Sequence, residues 1–310
     1  MSSYEDLPKL VQEIGTKAYS EGYKDLMACQ SPTLMAQEEP KLQRLCYVEV
    51  PEMYRPYTQI PDPASFDPMI VSLENALKRL CSGQDTRDPI STNGGPYAAN
   101  IVLDEMRGSE SYIENWTGSA AMAFKSNFID PFPSVVRNQF ILVSALKSAL
   151  EAEQAMWKET RKNITDIAEQ TLKVLDSMGG CSSNEWTMTF TVVAAVVGVA
   201  AAIPTLGTST VLTLTAVGAA VSVVGAVPVE DPPESKISGG DSNQVLESMR
   251  KCITQETQLV NSTEDRIGNA LKSLLGTVEG KPDYFVSKRP ALADSSRVNV
   301  KDSRHMGYST

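Results

Sequence analysis

Histidine is almost missing from this sequence. The 310-residue chain has one, His305, within its last six positions. A Ser/His/Asp or Cys/His catalytic group needs an imidazole held beside its nucleophile, and a chain end is a poor holder, so nucleophilic catalysis of that kind is not expected. Cysteine is scarce and scattered. Cys29, Cys46, Cys81, Cys181 and Cys252 are odd in number, far apart and never spaced CxxC, which suggests neither a zinc site nor a disulfide framework. No GxxxxGK(S/T), no GxGxxG after a strand, no HExxH and no EF-hand loop occurs. Nothing asks for a cofactor or a metal, and a non-enzymatic protein is expected. The opening MSSYEDLPKL lacks a basic stretch followed by an apolar one, so no cleaved secretory signal is expected and export would need another route.

Positive charge is also in short supply. The formal net charge is -10, and an acidic surface repels phosphate, which argues against general nucleic-acid binding. A hydrophobic content of 42% is enough for a proper core. The balance reverses only at the end: from Lys281 to Thr310 six basic residues face three acidic ones in a Ser/Arg/Asp-rich stretch without period. That stretch, 281–310, reads as a poorly ordered basic tail.

Between these limits the chain reads as helix. Residues 1–63 are punctuated by Pro8, Pro32, Pro40, Pro51, Pro56, Pro61 and Pro63, which predicts a packed-on arm holding only short helices such as Pro8 to Met27. Residues 64–280 predict a helical bundle. SFDPMIVSLENALKRLC places Phe66, Ile70, Leu73, Leu77, Leu80 and Cys81 on one stripe, with Ser65 as its cap. A second helix is expected from Tyr97 to about Asn115, and a short one from Ser119 to Ile129 before Pro131 and Pro133 break the chain. Ser134 to Met178 has no proline or glycine. Val136, Val143, Leu150, Trp157 and Ile164 recur there at heptad spacing, with Leu146, Ile167 and Val174 between them. As a helix it would be roughly 65 Å long and would need partners. Val245, Met249, Cys252, Ile253, Leu259, Val260, Ile267, Leu271, Leu274 and Leu275 mark one partner, starting after Asp241/Ser242 and stopping at Gly276. Glu151, Glu153, Asp166 and Glu169 are expected on solvated faces in ion-pairing or solubilising roles.

Charge is wholly absent from one stretch. Trp186 to Val229, between the two long helices, contains no Asp, Glu, Lys or Arg over 44 residues. Pro204 and Gly207 divide it into Met188 to Ile203 and Thr208 to Val227, about 24 and 30 Å long as helices against a bilayer core of about 30 Å. The strongly apolar residues of the first segment, among them Phe190 and Val197, would contribute only about -2 to -4 kcal/mol to insertion. Gly198, Gly218 and Gly225 allow close packing in any arrangement. Three readings remain open: a buried core hairpin, a membrane-inserting hairpin, and a short β-tongue favoured by the many valines and threonines.

The run ENWTGSAAMAF sets Trp116, Gly118 and Phe124 between an upstream helix and the long amphipathic one. Over about residues 66–178 this resembles the WxG (ESAT-like) family of helical-hairpin proteins exported by type VII secretion. The resemblance implies a Trp-x-Gly turn joining antiparallel helices, pairing with a second copy or another helical-hairpin protein, and export without a cleaved signal. The family's tyrosine followed four residues on by an acidic residue has no counterpart in SMGGCSSNEW. In layout the apolar hairpin between two long helices also resembles helical pore-forming toxins, which store a hydrophobic tongue in the soluble form. The expectation is therefore an all-α, elongated antiparallel bundle with a hydrophobic hairpin. It would be secreted or held at the cell surface, oligomeric, and conditionally associated with a lipid membrane. The alternative is a soluble structural or partner-binding helical protein whose hairpin stays buried.

Overall fold

The first sixty residues are helical in spite of their prolines. In the computed structural model, α1 spans Leu7–Ala28 and α2 spans Pro32–Arg44; a π turn, Leu45–Glu49, leads into α3, Val50–Tyr54, and a 3-10 turn, Arg55–Tyr57. Pro8, Pro32 and Pro51 fall in first turns, where the amide hydrogen they lack would have had no helical acceptor. The Ser31 hydroxyl accepts from the Leu34 amide at 3.4 Å and caps α2. The expected helix Pro8 to Met27 is present as α1, one residue longer at each end, and with the 13-residue α2 it supplies part of a core. The structure describes residues 2–28, 31–83, 88, 90, 96–108, 111, 114–115, 117–178, 185–190, 202–206, 212–216 and 234–287, with 202–206 and 212–216 described through their backbone pairing.

The chain is all-α in class, a helical bundle with two small β-ribbons. It forms two compact units: Met1–Phe66 with Glu153–Ala194 and Pro228–Arg266, and Asp67–Ala152 with Ala195–Val227 and Ile267–Thr310. Two long helices contribute to each, α7 over Phe132–Asp176 and α8 over Ser242–Gly280. In the first unit α1, α2, α3, the later part of α7 and the earlier part of α8 share one core. Leu10, Ile14, Tyr54, Ile164, Ile167 and Met249 are among its buried members. Glycine permits the closest approach. A Cβ on Gly15 would lie 2.5 Å from the Cys46 carbonyl oxygen, so α1 meets the π turn backbone to backbone.

The second unit holds α4 (Asp67–Leu80), α5 (Ile101–Gly108), α6 (Ser119–Phe124) and the remaining parts of α7 and α8. A 3-10 turn, Pro63–Phe66, precedes α4, and the Ser65 hydroxyl donates to the Asp62 carbonyl at 2.6 Å instead of capping the helix. The helix expected from Tyr97 begins at Ile101, because Asn100 accepts from the Val102 amide at 3.2 Å while its side chain donates to the Arg79 carbonyl at 2.7 Å. Tyr97 packs edge-on to Phe140 with centroids 6.1 Å apart. After α6 a π turn, Lys125–Ile129, ends at Asp130. There the chain breaks as expected, but Pro131 and Pro133 then serve as the start of α7, with the Pro131 carbonyl accepting from the Val135 amide at 3.0 Å. Gly276 does not stop α8, which continues to Gly280.

Residues 281–287, expected to begin the disordered tail, are docked. The Asn138 amide donates to the Tyr284 carbonyl at 2.9 Å and the Gln139 amide to the Phe285 carbonyl at 2.6 Å, while Phe285 is buried against Ile141. The rest of that tail, with His305, lies outside the described residues.

If the backbone approach at Gly15 sets the seat of α1, Gly15→Ala should lower stability by about 1–3 kcal/mol, the usual range for overpacking. Urea unfolding of the two proteins would measure it; equal midpoints would mean that the π turn yields without cost.

Candidate functional site

The charge-free segment does not form helices where it is described. β1, Trp186–Thr189, pairs antiparallel with β4, Glu234–Ile237, and nested between them in sequence β2, Ala202–Leu206, pairs antiparallel with β3, Leu212–Ala216. At 188–189, 202–203 and 212–216 this corrects the expected helices Met188 to Ile203 and Thr208 to Val227 in favour of the β-tongue reading; the rest of both spans, apart from Phe190, lies outside the described residues. The described strands carry Thr187, Thr189, Ile203, Thr205, Thr213 and Thr215, β-branched residues that lose less side-chain freedom in a strand than in a helix. Pro204 sits within β2, opposite Leu214. A two-stranded ribbon tolerates it because both strands are edges, where a missing amide donor need not interrupt a ladder.

The β1–β4 ribbon is two-faced. Thr187 pairs with Lys236 and Thr189 with Glu234, all exposed, whereas Met188, Phe190 and Ile237 are buried in the core of the first unit. Alternation along a pleated strand produces this sorting. Side chains also fasten β4 to α8. The Ser238 amide donates to the Ser248 hydroxyl at 3.1 Å, that hydroxyl donates back to the Ser238 carbonyl at 3.0 Å, and the Ser235 hydroxyl bonds the Gln255 side chain. On the exposed side Lys236 meets Glu185 at 2.8 Å. In β2–β3 the register alternates between apolar pairs (Ala202 with Ala216, Pro204 with Leu214, Leu206 with Leu212) and threonine-bearing ones (Ile203 with Thr215, Thr205 with Thr213).

Of the other residues singled out from the sequence, Val197, Gly198, Gly207, Gly218 and Gly225 lie outside the described residues, as does Trp116. Gly118 has φ +106°, a conformation that favours glycine, and α6 begins at the next residue. Phe124 stacks on Phe128 with centroids 5.3 Å apart. Gly118 and Phe124 belong to the second unit and Phe190 to the first, so the expected sites are not one constellation. Among the described residues no group of three or more His, Cys, Asp or Glu is placed to hold a metal, and no helix is long and apolar enough to cross a membrane.

A polar layer escaped the sequence reading. Glu256 on α8 is buried, and the Asn163 amide on α7 donates to its Oε2 at 3.0 Å. Burial, against hydrogen bonds from Asn163 and Thr160, pushes its carboxyl up to about 7, with Glu159 adding to the rise. Glu153 and Asp166 are half-buried and pushed up by desolvation, so they are not simply solvated. Glu169 is held low by the Ser2 amide. Glu151 does ion-pair, at 2.7 Å, with a buried Lys147 that also reaches Asp88 at 3.6 Å. The signal for Glu256 was positional. It fills the gap in the α8 stripe between Ile253 and Leu259, and a polar residue at a core-facing helix position marks a specified layer.

No protein-family model matches the chain, and neither a curated protein nor a solved structure matches it.

The buried aromatic at the base of the ribbon should be energetically central. Phe190→Ala is expected to cost about 3–5 kcal/mol. The check is denaturant unfolding at neutral pH, and a loss under 1 kcal/mol would mean that the ribbon rests on the bundle without being part of its core.

Proposed function

We propose that this is an exported, non-enzymatic effector or surface protein that oligomerises and contacts or perforates a membrane through the segment between α7 and α8. One observation carries the reading: a run of 44 uncharged residues is extended wherever it is described, its start β1 pairing with β4 just beyond its end and burying Met188 and Phe190 in a helical core, and its middle pairing as the β2–β3 hairpin. A run of that length without charge has little use as an ordinary surface loop, whereas a register of apolar pairs alternating with threonine-bearing ones suits a hairpin that meets lipid on one side and water on the other.

The same geometry supports oligomerisation. A lone two-stranded hairpin leaves unpaired amides and carbonyls along both edges, which is costly in hydrocarbon, so entry into a bilayer requires neighbouring copies to pair those edges. The five-residue strands β2 and β3 are shorter than the roughly 9–11 residues that a crossing strand needs. The form described here is accordingly the stored one, and crossing would require further residues of the segment to join the ladder. Export by a type VII route is proposed on the WxG-like turn, supported by the left-handed backbone of Gly118. The burial of Phe190 and Ile237 favours the second reading, a soluble structural or partner-binding protein in which the ribbon is permanent packing.

Dye release from liposomes separates the two. The native protein should release dye, and Leu214→Asp, which places a charge costing about 2.5–3.5 kcal/mol in an apolar pair, should reduce release at least about tenfold. Leakage that survives the substitution, or none from either protein, removes the membrane reading. For the export route, Trp116→Ala should abolish secretion by a type VII-competent host while leaving helicity unchanged; undiminished secretion counts against it.

A further inference from the structure

Among the described residues Glu256 is a buried carboxyl on which no cation acts, and it lies where α7 and α8 meet in the first unit. Glu256 is 1% exposed. Around it Met156, Thr160 and Asn163 of α7 and Leu259 and Val260 of α8 enclose a space of about 10 Å³, at the limit of what holds a single water. Asn163 and Thr160 are its hydrogen-bond partners. The charged and titratable groups facing this region are themselves acidic or already engaged. On α7, Glu159 stands beside it with Lys162 at 3.7 Å from that neighbour, and Arg161 turns away to Asp62 at 3.4 Å and the Tyr4 ring. From the 3-10 turn after α3, the Tyr57 hydroxyl bonds Thr257 at 2.6 Å. Further along the same helix pair Glu153 feels Glu264. None of the groups acting on Glu256 is a cation.

We infer that Glu256 is a protonation latch: as the neutral acid it lets α8 close on α7 and seat the β1–β4 ribbon, and as the carboxylate it loosens that contact and frees the ribbon. A carboxylate in this position would have almost no water, a loss that its two hydrogen bonds only partly offset, so the uncharged form is favoured. Relief comes only by parting α7 from α8. The core they share is the one that buries Met188, Phe190 and Ile237, so parting the helices opens the seat of the ribbon. The direction follows from linkage. The folded carboxyl titrates near 7, above its unfolded 4.5, so its contribution to stability is complete below 4.5 and is lost as the pH rises through about 7. The latch is therefore closed in acid and released towards neutral and alkaline pH. As the trigger of a membrane-active segment it rests on the function proposed above; as a movement of the ribbon it needs no membrane.

The test is hydrogen exchange on the full chain without lipid, between about pH 5 and about pH 8, corrected for the intrinsic pH dependence of exchange. In the native protein the amides of β1, β4 and the adjoining part of α8 should open more readily as pH rises, by up to roughly tenfold per unit, levelling off above about 7. Glu256→Gln should abolish that rise. Asn163→Leu, which removes a donor without opening space, should leave the onset in place and carry the rise to a plateau at higher pH, and it carries the test if the glutamine variant does not fold. A flat native profile, an unchanged rise in Glu256→Gln, or an unshifted plateau in Asn163→Leu overturns the latch. Because no vesicles are present, a pH step without dye release would sink the membrane reading alone, and dye release without the step would sink the latch alone.

Discussion

The contact between α7 and α8 in the first unit is the constraint on which the rest of that unit depends. Ile164, Ile167 and Leu175 of one helix and Val245, Met249, Cys252 and Ile253 of the other form the floor of a core, and α1, α2, α3 and the β1–β4 ribbon are laid upon it. Burial of this floor is marked in the chemistry of its side chains: the Cys252 thiol is pushed up to about 11, as is that of Cys46 on the π turn, and the Tyr54 hydroxyl is driven higher still. These groups are neutral at any ordinary pH. Glu256 differs because its shifted value falls inside the range that a cell or an acidified compartment can cross.

That difference resolves a tension in the fold. In the proposed function the uncharged segment is stored in one state and deployed in another, which apolar packing alone at its base would not allow. Met188, Phe190 and Ile237 supply the packing at its base. The polar layer supplies the opposite quality, since a helix contact that includes Glu256, Asn163 and Thr160 is weaker than one made of leucine and is sensitive to a single proton. Stability and release then come from different residues of the same interface.

How much of this could be read from the sequence follows from which physical signals are local. The stripe on α8 was legible because Val245, Met249, Cys252, Val260, Ile267 and Leu274 are apolar and buried, and the span of α7 was legible because nothing interrupts it. The buried face of α7 was less so. Ala145, Ser148, Ala149, Ala152, Thr160 and Asn163 are buried, whereas Leu146 is 38% exposed. A search for large apolar residues passes over such a face. The prolines of residues 1–63 are harder to weigh: Pro8, Pro32 and Pro51 fall in first turns, where Ser31 caps one of the helices, while Pro40 is held inside α2.

The charge-free segment shows the limit most clearly. Composition alone left helix, strand and membrane span open, because valine, alanine and threonine serve all three and no periodicity separated them. Flanking residues decide the matter at its base. Ser235 and Ser238 find partners on α8 only if residues 234–237 run extended alongside it, and Lys236 reaches Glu185 only if 186–189 pairs in register. The polar residues just outside the uncharged run therefore select a ribbon over a helix, and the same bonds tie that ribbon to the helix that bears Glu256. A proton on one side chain of α8 and the seat of the apolar segment are coupled by contacts that the sequence, taken one segment at a time, keeps apart.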